Sequence, residues 1–307
     1  MDKINDLFRN AVSRRKFLAG AGTAAAAAVV AGCGRGPGSS NLNDGAPPAP
    51  PKPAAITDAD ILNFALNLEY LEAEFYLRAV TGAGLSSTDA GSSAGTVVGG
   101  TQVNFASDTS LQQYAAEIAQ DELDHVRFLR SALGSAAVSR PNIDFTDAFN
   151  GLAAAAGIGS SFNPFADPRS FLVGAFVFED VGVTAYHGAA KLLTNKTYLG
   201  AAAGIMGVEA YHAAAIRSLI YGDSVATGVA TYLTDANKVS DARGSLGGGN
   251  ETRISATTIA PVGANAIAYE RTTDQVMHIV YATGAGVVTK GGFFPNGLNG
   301  TITATAS

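Results

Sequence analysis

Two copies of Glu-x-x-His stand out in the 307-residue chain: Glu122 with His125, and Glu209 with His212. Nine glutamates and four histidines in a chain this long would give roughly 0.1 such pair by chance. At this spacing both side chains leave one face of a helix, so a carboxylate and an imidazole can address the same point. Two further glutamates, Glu69 and Glu179, each sit in an apolar segment with a tyrosine two helical turns later, Tyr76 and Tyr186. A carboxylate buried alone is strongly disfavoured; it must pair, protonate or bind a cation. Four of them carry a charge of about −4, which two divalent cations would neutralise. Carboxylate and imidazole donors suit iron and manganese equally.

The elements that must hold these groups are helices. Thr57 or Asp58 caps a first helix that runs to Gly82, a second spans Ser110 to Leu133, a third Pro168 to Leu193 and a fourth Tyr198 to Tyr221. In the second, Leu111, Ala115, Ile118, Glu122, His125, Leu129 and Ala132 share one face; in the fourth, Ala202, Ile205, Glu209, His212, Ile216 and Leu219 do. Leu66, Glu69, Ala73, Tyr76 and Val80 in the first match Phe176, Glu179, Val183, Tyr186 and Ala190 in the third. The pattern is an internal duplication of a helix pair, with long, unequal connections at 83–108 and 134–167. The tail, 223–307, is rich in Gly, Thr and Ser, with one expected helix from Arg271 to Tyr281 and a Thr272/Gln275 capping box. The fold class expected is all-α: a four-helix bundle at 57–222 with long crossover loops and a C-terminal extension that covers the bundle or builds a subunit interface. One glutamate from each of two helices plus Glu-x-x-His from each of the other two is the di-iron or di-manganese ligand set of ferritin-like bundles.

The neighbouring polar residues admit more than one role. Glu72 lies one turn after Glu69 and could replace or supplement it as a ligand, although Glu179 has no equivalent partner. Glu74 reads as an exposed ion pair with Arg78, and Glu117 as solvated. Asp121 and Asp124 are open between solvation and a hydrogen bond to the outer nitrogen of a ligating histidine. Tyr76 and Tyr186 are open between hydrogen bonds to metal-bound carboxylates and plain core packing. His187 and His278 read as structural.

The N-terminus reads as an address. Ser13-Arg14-Arg15-Lys16-Phe17-Leu18 resembles the twin-arginine export motif, and the apolar run Ala19 to Ala31 is too short to span a bilayer. Val30-Ala31-Gly32-Cys33 looks like a lipobox, cut before the cysteine, which then receives lipid. Residues 1–32 are therefore expected to be removed, 33–56 to form a Pro- and Gly-rich tether, and the protein to sit in the periplasm or cell envelope, attached to the membrane through Cys33. A net charge of −6 argues against a nucleic-acid partner, and 47% hydrophobic against 15% charged residues excludes a disordered protectant. A single cysteine excludes an internal disulfide and cysteine-built metal clusters.

Three segments carry a resemblance over roughly residues 57–300: Leu66-Asn-Leu-Glu-Tyr-Leu-Glu-Ala-Glu-Phe-Tyr76, Ala119-Gln-Asp-Glu-Leu-Asp-His125 with Val126-Arg-Phe-Leu-Arg130, and Gly291-Gly-Phe-Phe-Pro-Asn-Gly297. They resemble the desiccation-related, ferritin-like domain family. The resemblance implies a ferritin-like bundle with a C-terminal extension and an association with dehydration or oxidative stress. It also implies ligand roles for Glu69, Glu122, His125, Glu179, Glu209 and His212. The expected function is a dimetal centre acting on hydrogen peroxide or dioxygen, with non-catalytic metal binding or mechanical protection as the alternative. A homo-oligomer fits either; a closed storage cage fits poorly with a tethered chain that has a long tail.

Overall fold

Thr57 opens the first helix with a capping box: its hydroxyl accepts from Asp60 N–H while the Asp60 carboxylate accepts from Thr57 N–H. The computed structural model describes residues 55–306; the expected signal, Cys33 and most of the tether lie outside the described residues. Helix α1 spans Asp58–Thr81 and stops at Gly82, whose φ of 78° closes a left-handed cap that most side chains would strain. After it come α2 (Ser87–Ala90), β1 (Val97–Val98), α3 (Thr109–Leu133), β2 (Ile143–Asp144), α4 (Thr146–Ala155), α5 (Pro168–Ala190), α6 (Lys196–Thr227), α7 (Thr231–Leu246) and α8 (Thr273–Val280).

The four long helices α1, α3, α5 and α6 form the bundle, and cross-links fix their directions. Asn63 bonds the 136–138 turn, and Arg130 donates to the Tyr70 hydroxyl, so α3 runs antiparallel to α1. Tyr76 pairs with Glu179 and Tyr186 with Glu69, so α5 is antiparallel to α1 as well. Arg169 meets Asp223 and Arg217 meets Asp180, so α6 is antiparallel to α5. The order is therefore up, down, down, up. The 134–167 connection must travel the length of the bundle.

That crossover is more ordered than a loop. Its Ile143–Asp144 strand pairs in parallel with Val97–Val98 of the other long connection. The unforeseen helix α4 buries Ala148, Phe149, Leu152 and Ala153 on one stripe. Phe145, Phe149 and Phe165 crowd around Phe75 of α1, with centroids 5.2 to 6.0 Å away. Phe178 of α5 is also 5.2 Å from Phe75, and Phe293 of the tail closes the group at 5.1 Å from Phe149 and 5.0 Å from Phe178. Buried aromatics of this kind contribute roughly 1.5–3 kcal/mol each.

The tail lies over the α1/α5 side of the bundle. This explains why α1 is buried without a break from Ile61 to Tyr76 and α5 from Ser170 to Tyr186, whereas α3 and α6 bury only stripes. Of the two roles open for the extension, covering the bundle is the one its packing displays. The tail also holds α7, which the sequence hid because its buried positions are Ala236, Val239, Ser240 and Arg243 rather than large apolar residues. Helix α8 has the expected Thr272/Gln275 capping box. Helix α5 ends before Leu193, where the chain tightens onto i→i+3 bonds, and α6 runs past Tyr221 to a cap at Gly228.

Candidate metal centre

Midway along the bundle the four long helices each turn a glutamate inward. Glu69, Glu122, Glu179 and Glu209 are all fully buried, with His125 and His212 beside them at the bundle edge. Potential ligand atoms form two groups, each drawn together within 4.8 Å: Glu69, Glu122, His125 and Glu209 in one, Glu122, Glu179, Glu209 and His212 in the other. Glu122 and Glu209 belong to both. The six sequence-derived positions thus converge, and the internal duplication appears in space as two half-sites sharing two carboxylates.

The half-sites mirror each other closely. His125 Nδ1 lies 3.1 Å from Glu69 Oε2 and 3.4 Å from Glu122 Oε2. His212 Nδ1 lies 3.0 Å from Glu122 Oε1 and 3.6 Å from Glu179 Oε2. Tyr186 donates to Glu69 Oε1 and Tyr76 to Glu179 Oε1, so each tyrosine reaches across to the glutamate of the other helix. The hydrogen-bonding role left open for both tyrosines is the one observed. His212 Nε2 faces Asp121 Oδ2 at 3.1 Å, whereas Asp124 is exposed and bonds Gln120.

The cluster is rich in carboxylates and buried. Burial pushes Glu69 up to about 7 against the pull of His125. Burial and the surrounding carboxylates push Glu209 and Glu72 well above the usual range. Burial also disfavours ionised Glu122, but the adjacent His125 and His212 imidazoles outweigh it and hold that carboxyl down at about 2. Burial opposes charge on the imidazoles, yet Glu69 and Glu122 raise His125 to about 11, and Glu179 and Glu122 raise His212 to about 12.

A metal fits this donor set on one specific ground. Both oxygens of Glu122 and of Glu209, Oε2 of Glu179 and Nδ1 of His212 are buried without a hydrogen-bond partner among the described residues. Six orphaned lone-pair atoms in one cluster are costly in a folded core, at about 1–3 kcal/mol each. Nδ1 of His212 and Oε1 of Glu122 are close, but not aligned to bond one another. Atoms so placed face a shared volume and could bind metal ions there.

Other readings need adjustment. Glu74 does pair with Arg78, at 2.8 Å, but it is fully buried rather than exposed, because Arg140 from the crossover caps it from the far side. Glu72 is buried in the same core yet belongs to neither four-residue group. His187 and His278 bond the backbone carbonyls of Tyr269 and Thr283, as structural residues do. A second buried polar cluster escaped the sequence reading. Asp180 accepts from Arg217 at 2.9 Å and Arg243 at 2.8 Å, while Glu251 accepts from Arg243 at 2.9 Å and Arg271 at 2.7 Å. Its sequence signal is charge set inside an apolar run, twice: Asp180, next to Glu179, in Phe178-Glu-Asp-Val-Gly182 and Arg217 in Ala213-Ala-Ala-Ile-Arg-Ser-Leu-Ile220.

Comparison with known proteins agrees with this geometry. Residues 57–222 match the ferritin-like domain family. The chain is 29% identical to the ferritin-like catalase Nec2 of Nesocodon mauritianus over 268 residues, covering 80% of this chain and 84% of that protein. It is 28% identical to the desiccation-related protein PCC13-62 of Craterostigma plantagineum over 244 residues, covering 72% and 76% respectively.

Proposed function

Because the chain belongs to the ferritin-like domain family, we propose that it is a dimetal-carboxylate oxidoreductase that removes hydrogen peroxide, with dioxygen as the alternative oxidant, in protection against oxidative and desiccation stress. One observation carries the reading: two buried four-residue groups share Glu122 and Glu209 and leave six ligand-type atoms without partners. In this reading Glu69 and His125 would hold one iron or manganese ion, Glu179 and His212 would hold the other, and Glu122 and Glu209 would serve both. Bound ions would supply reversible electron transfer and Lewis acidity.

The protein's own residues supply the setting. Tyr76 and Tyr186 hold one oxygen of each outer glutamate, which leaves the other to face the centre. Asp121 bonds Nε2 of His212, which keeps the proton there and the Nδ1 lone pair inward. The packed core excludes bulk water, so small neutral oxidants such as peroxide are favoured over charged or large substrates. The likeness to a protein named a catalase supports peroxide as the substrate. The twin-arginine-like motif and the Val30–Cys33 lipobox support export to the periplasm or cell envelope, with attachment to the membrane through lipid on Cys33.

Metal analysis followed by peroxide consumption tests the proposal. Two Fe or Mn per chain and turnover abolished in Glu122→Ala would support it. A folded protein that is metal-free and inert would overturn it. The likeness to a desiccation-related protein favours a second reading, non-catalytic metal binding with a protective structural role. That reading predicts metal-dependent thermal stability without peroxide turnover.

A further inference from the structure

Glu122 and Glu209 are the two carboxylates common to both groups, yet they are held differently. Glu122 lies between imidazoles: His212 Nδ1 is 3.0 Å from its Oε1 and His125 Nδ1 is 3.4 Å from its Oε2. Glu209 has His125 Nδ1 at 3.7 Å from Oε1, and its Oε2 has no hydrogen-bond partner among the described residues. What that oxygen meets instead is a gap in the neighbouring helix. A Cβ at Gly182 of α5 would overlap Oε2 of Glu209 and stand 2.9 Å from its Cδ. Glu72 Oε1 would be 3.4 Å away, an ordinary contact, so the overlap is with Glu209. The shared carboxylate occupies the volume that a side chain at 182 would fill.

The backbone does not ask for glycine there. Position 182 lies inside α5 with ordinary helical geometry and is not among the positive-φ residues. In a helix interior alanine is favoured over glycine, so the residue is useful for what it lacks. Nor is α5 free to step back. At Gly174 a Cβ would be 2.5 Å from Pro164 Cβ and 2.9 Å from Phe75 Cζ; at Gly188 one would be 2.7 Å from the Arg271 carbonyl carbon. The crossover and the tail thus pack tightly against this helix before and after Gly182. The flexible end of Glu209 is the part that would have to yield.

We propose that Gly182 is a positioning residue for the metal centre: by carrying no side chain it seats Glu209, the α6 carboxylate that would serve both ions. Enlarging position 182 displaces that carboxylate and weakens both metal positions together. This rests on the dimetal reading above, and the test separates the two.

The experiment is a double-mutant cycle of Gly182→Ala and Glu209→Ala. Mn(II) affinity is read by competition with a chelator, the stability of EDTA-treated protein by thermal melts, and folding by circular dichroism. With Glu209 present, Gly182→Ala is expected to lower affinity for both equivalents by about tenfold or more and to lower the melting temperature. In the Glu209→Ala background the overlap is gone. There the same substitution is expected to leave the residual affinity unchanged and to raise the melting temperature, as alanine does in a helix interior. A glycine needed only for packing would not give that reversal. Where Glu209→Ala binds no Mn(II), the melting temperatures alone decide. If Gly182→Ala does not fold, a double variant that folds supports the proposal and one that does not overturns it. Wild-type affinity in Gly182→Ala, or the same loss in both backgrounds, would overturn the inference and leave the dimetal reading standing. A wild-type protein that binds no metal would overturn both.

Discussion

The hydroxyl of Tyr76 on α1 donates to Oε1 of Glu179 on α5, and Tyr186 returns the same bond from α5 to Glu69 on α1. This crossed pair locks the buried stretches of the two helices in register at the depth of the carboxylates. It also orients them, since a glutamate with one oxygen bonded outward has the other free to face inward.

Tyr76→Phe should therefore weaken metal binding rather than the fold. The ring keeps its packing against Phe75 and Phe171. Removing a hydrogen bond to a ligating carboxylate typically lowers metal affinity about 10- to 100-fold. Competition titration against a chelator checks this, and Tyr186→Phe should show the same loss through Glu69. Unchanged affinity in both would mean that the tyrosines only pack.

Asp121 gives a one-sided prediction. It bonds Nε2 of His212, and His125 has no matching carboxylate among the described residues. Asp121→Asn should lower affinity at the position served by His212 and leave the one served by His125 near wild type. Metal stoichiometry at limiting metal reads the difference. An equal loss at both positions would sink the idea.

The pH dependence of the metal-free protein follows from the carboxylates and imidazoles together. Glu69 is raised from 4.5 to about 7, and Glu72 and Glu209 are raised well above their ordinary value, so the folded state keeps protons that the unfolded state has lost. His125 and His212, raised from 6.5 to about 11 and 12, act in the same direction. Only Glu122, held down at about 2, opposes them, and its contribution is complete above its ordinary 4.5. Stability of the EDTA-treated protein should thus fall as pH rises from about 5 to 8. Metal binding releases those protons, so affinity should rise over the same interval. Thermal melts at pH 5 and pH 8, with and without Mn(II), check both signs.

Much of this centre was legible because its geometry is local. Glu-x-x-His needs only a helix to aim two ligands together, and the apolar stripes of α3 and α6 state that helix and its facing side. The repeat between α1 and α5 then supplied Glu69 and Glu179 with their tyrosines. What the sequence concealed depends on partners far along the chain. The burial of Glu74 requires Arg140 from the crossover, and the burial of Glu72 requires the tail's Ile279, Val280 and Phe293. Helix α7 buries Arg243, a residue type that hydrophobic periodicity counts as surface.

That arginine supplies the last prediction. Arg217, Arg243 and Arg271 are all about 1% exposed or less, and among the described residues only Asp180 and Glu251 pair with them. Burial and the Arg243 charge push the Arg271 guanidinium below its usual range despite Glu251. Asp180 directly follows Glu179, and Arg243 also binds the carbonyls of Phe176 and Val177 in the preceding turn. The cluster therefore ties the tail to the stretch of α5 that carries a candidate ligand. Asp180→Asn keeps the shape but leaves three buried cations against one carboxylate. Breaking a buried pair from one side costs about 3–5 kcal/mol, so chemical denaturation should show a loss of that order with or without metal. The metal position at Glu179 and His212 should weaken more than the one at Glu69 and His125, because the disturbed turn leads into Glu179. Wild-type stability in Asp180→Asn would mean that the arginines are neutralised by something other than Asp180.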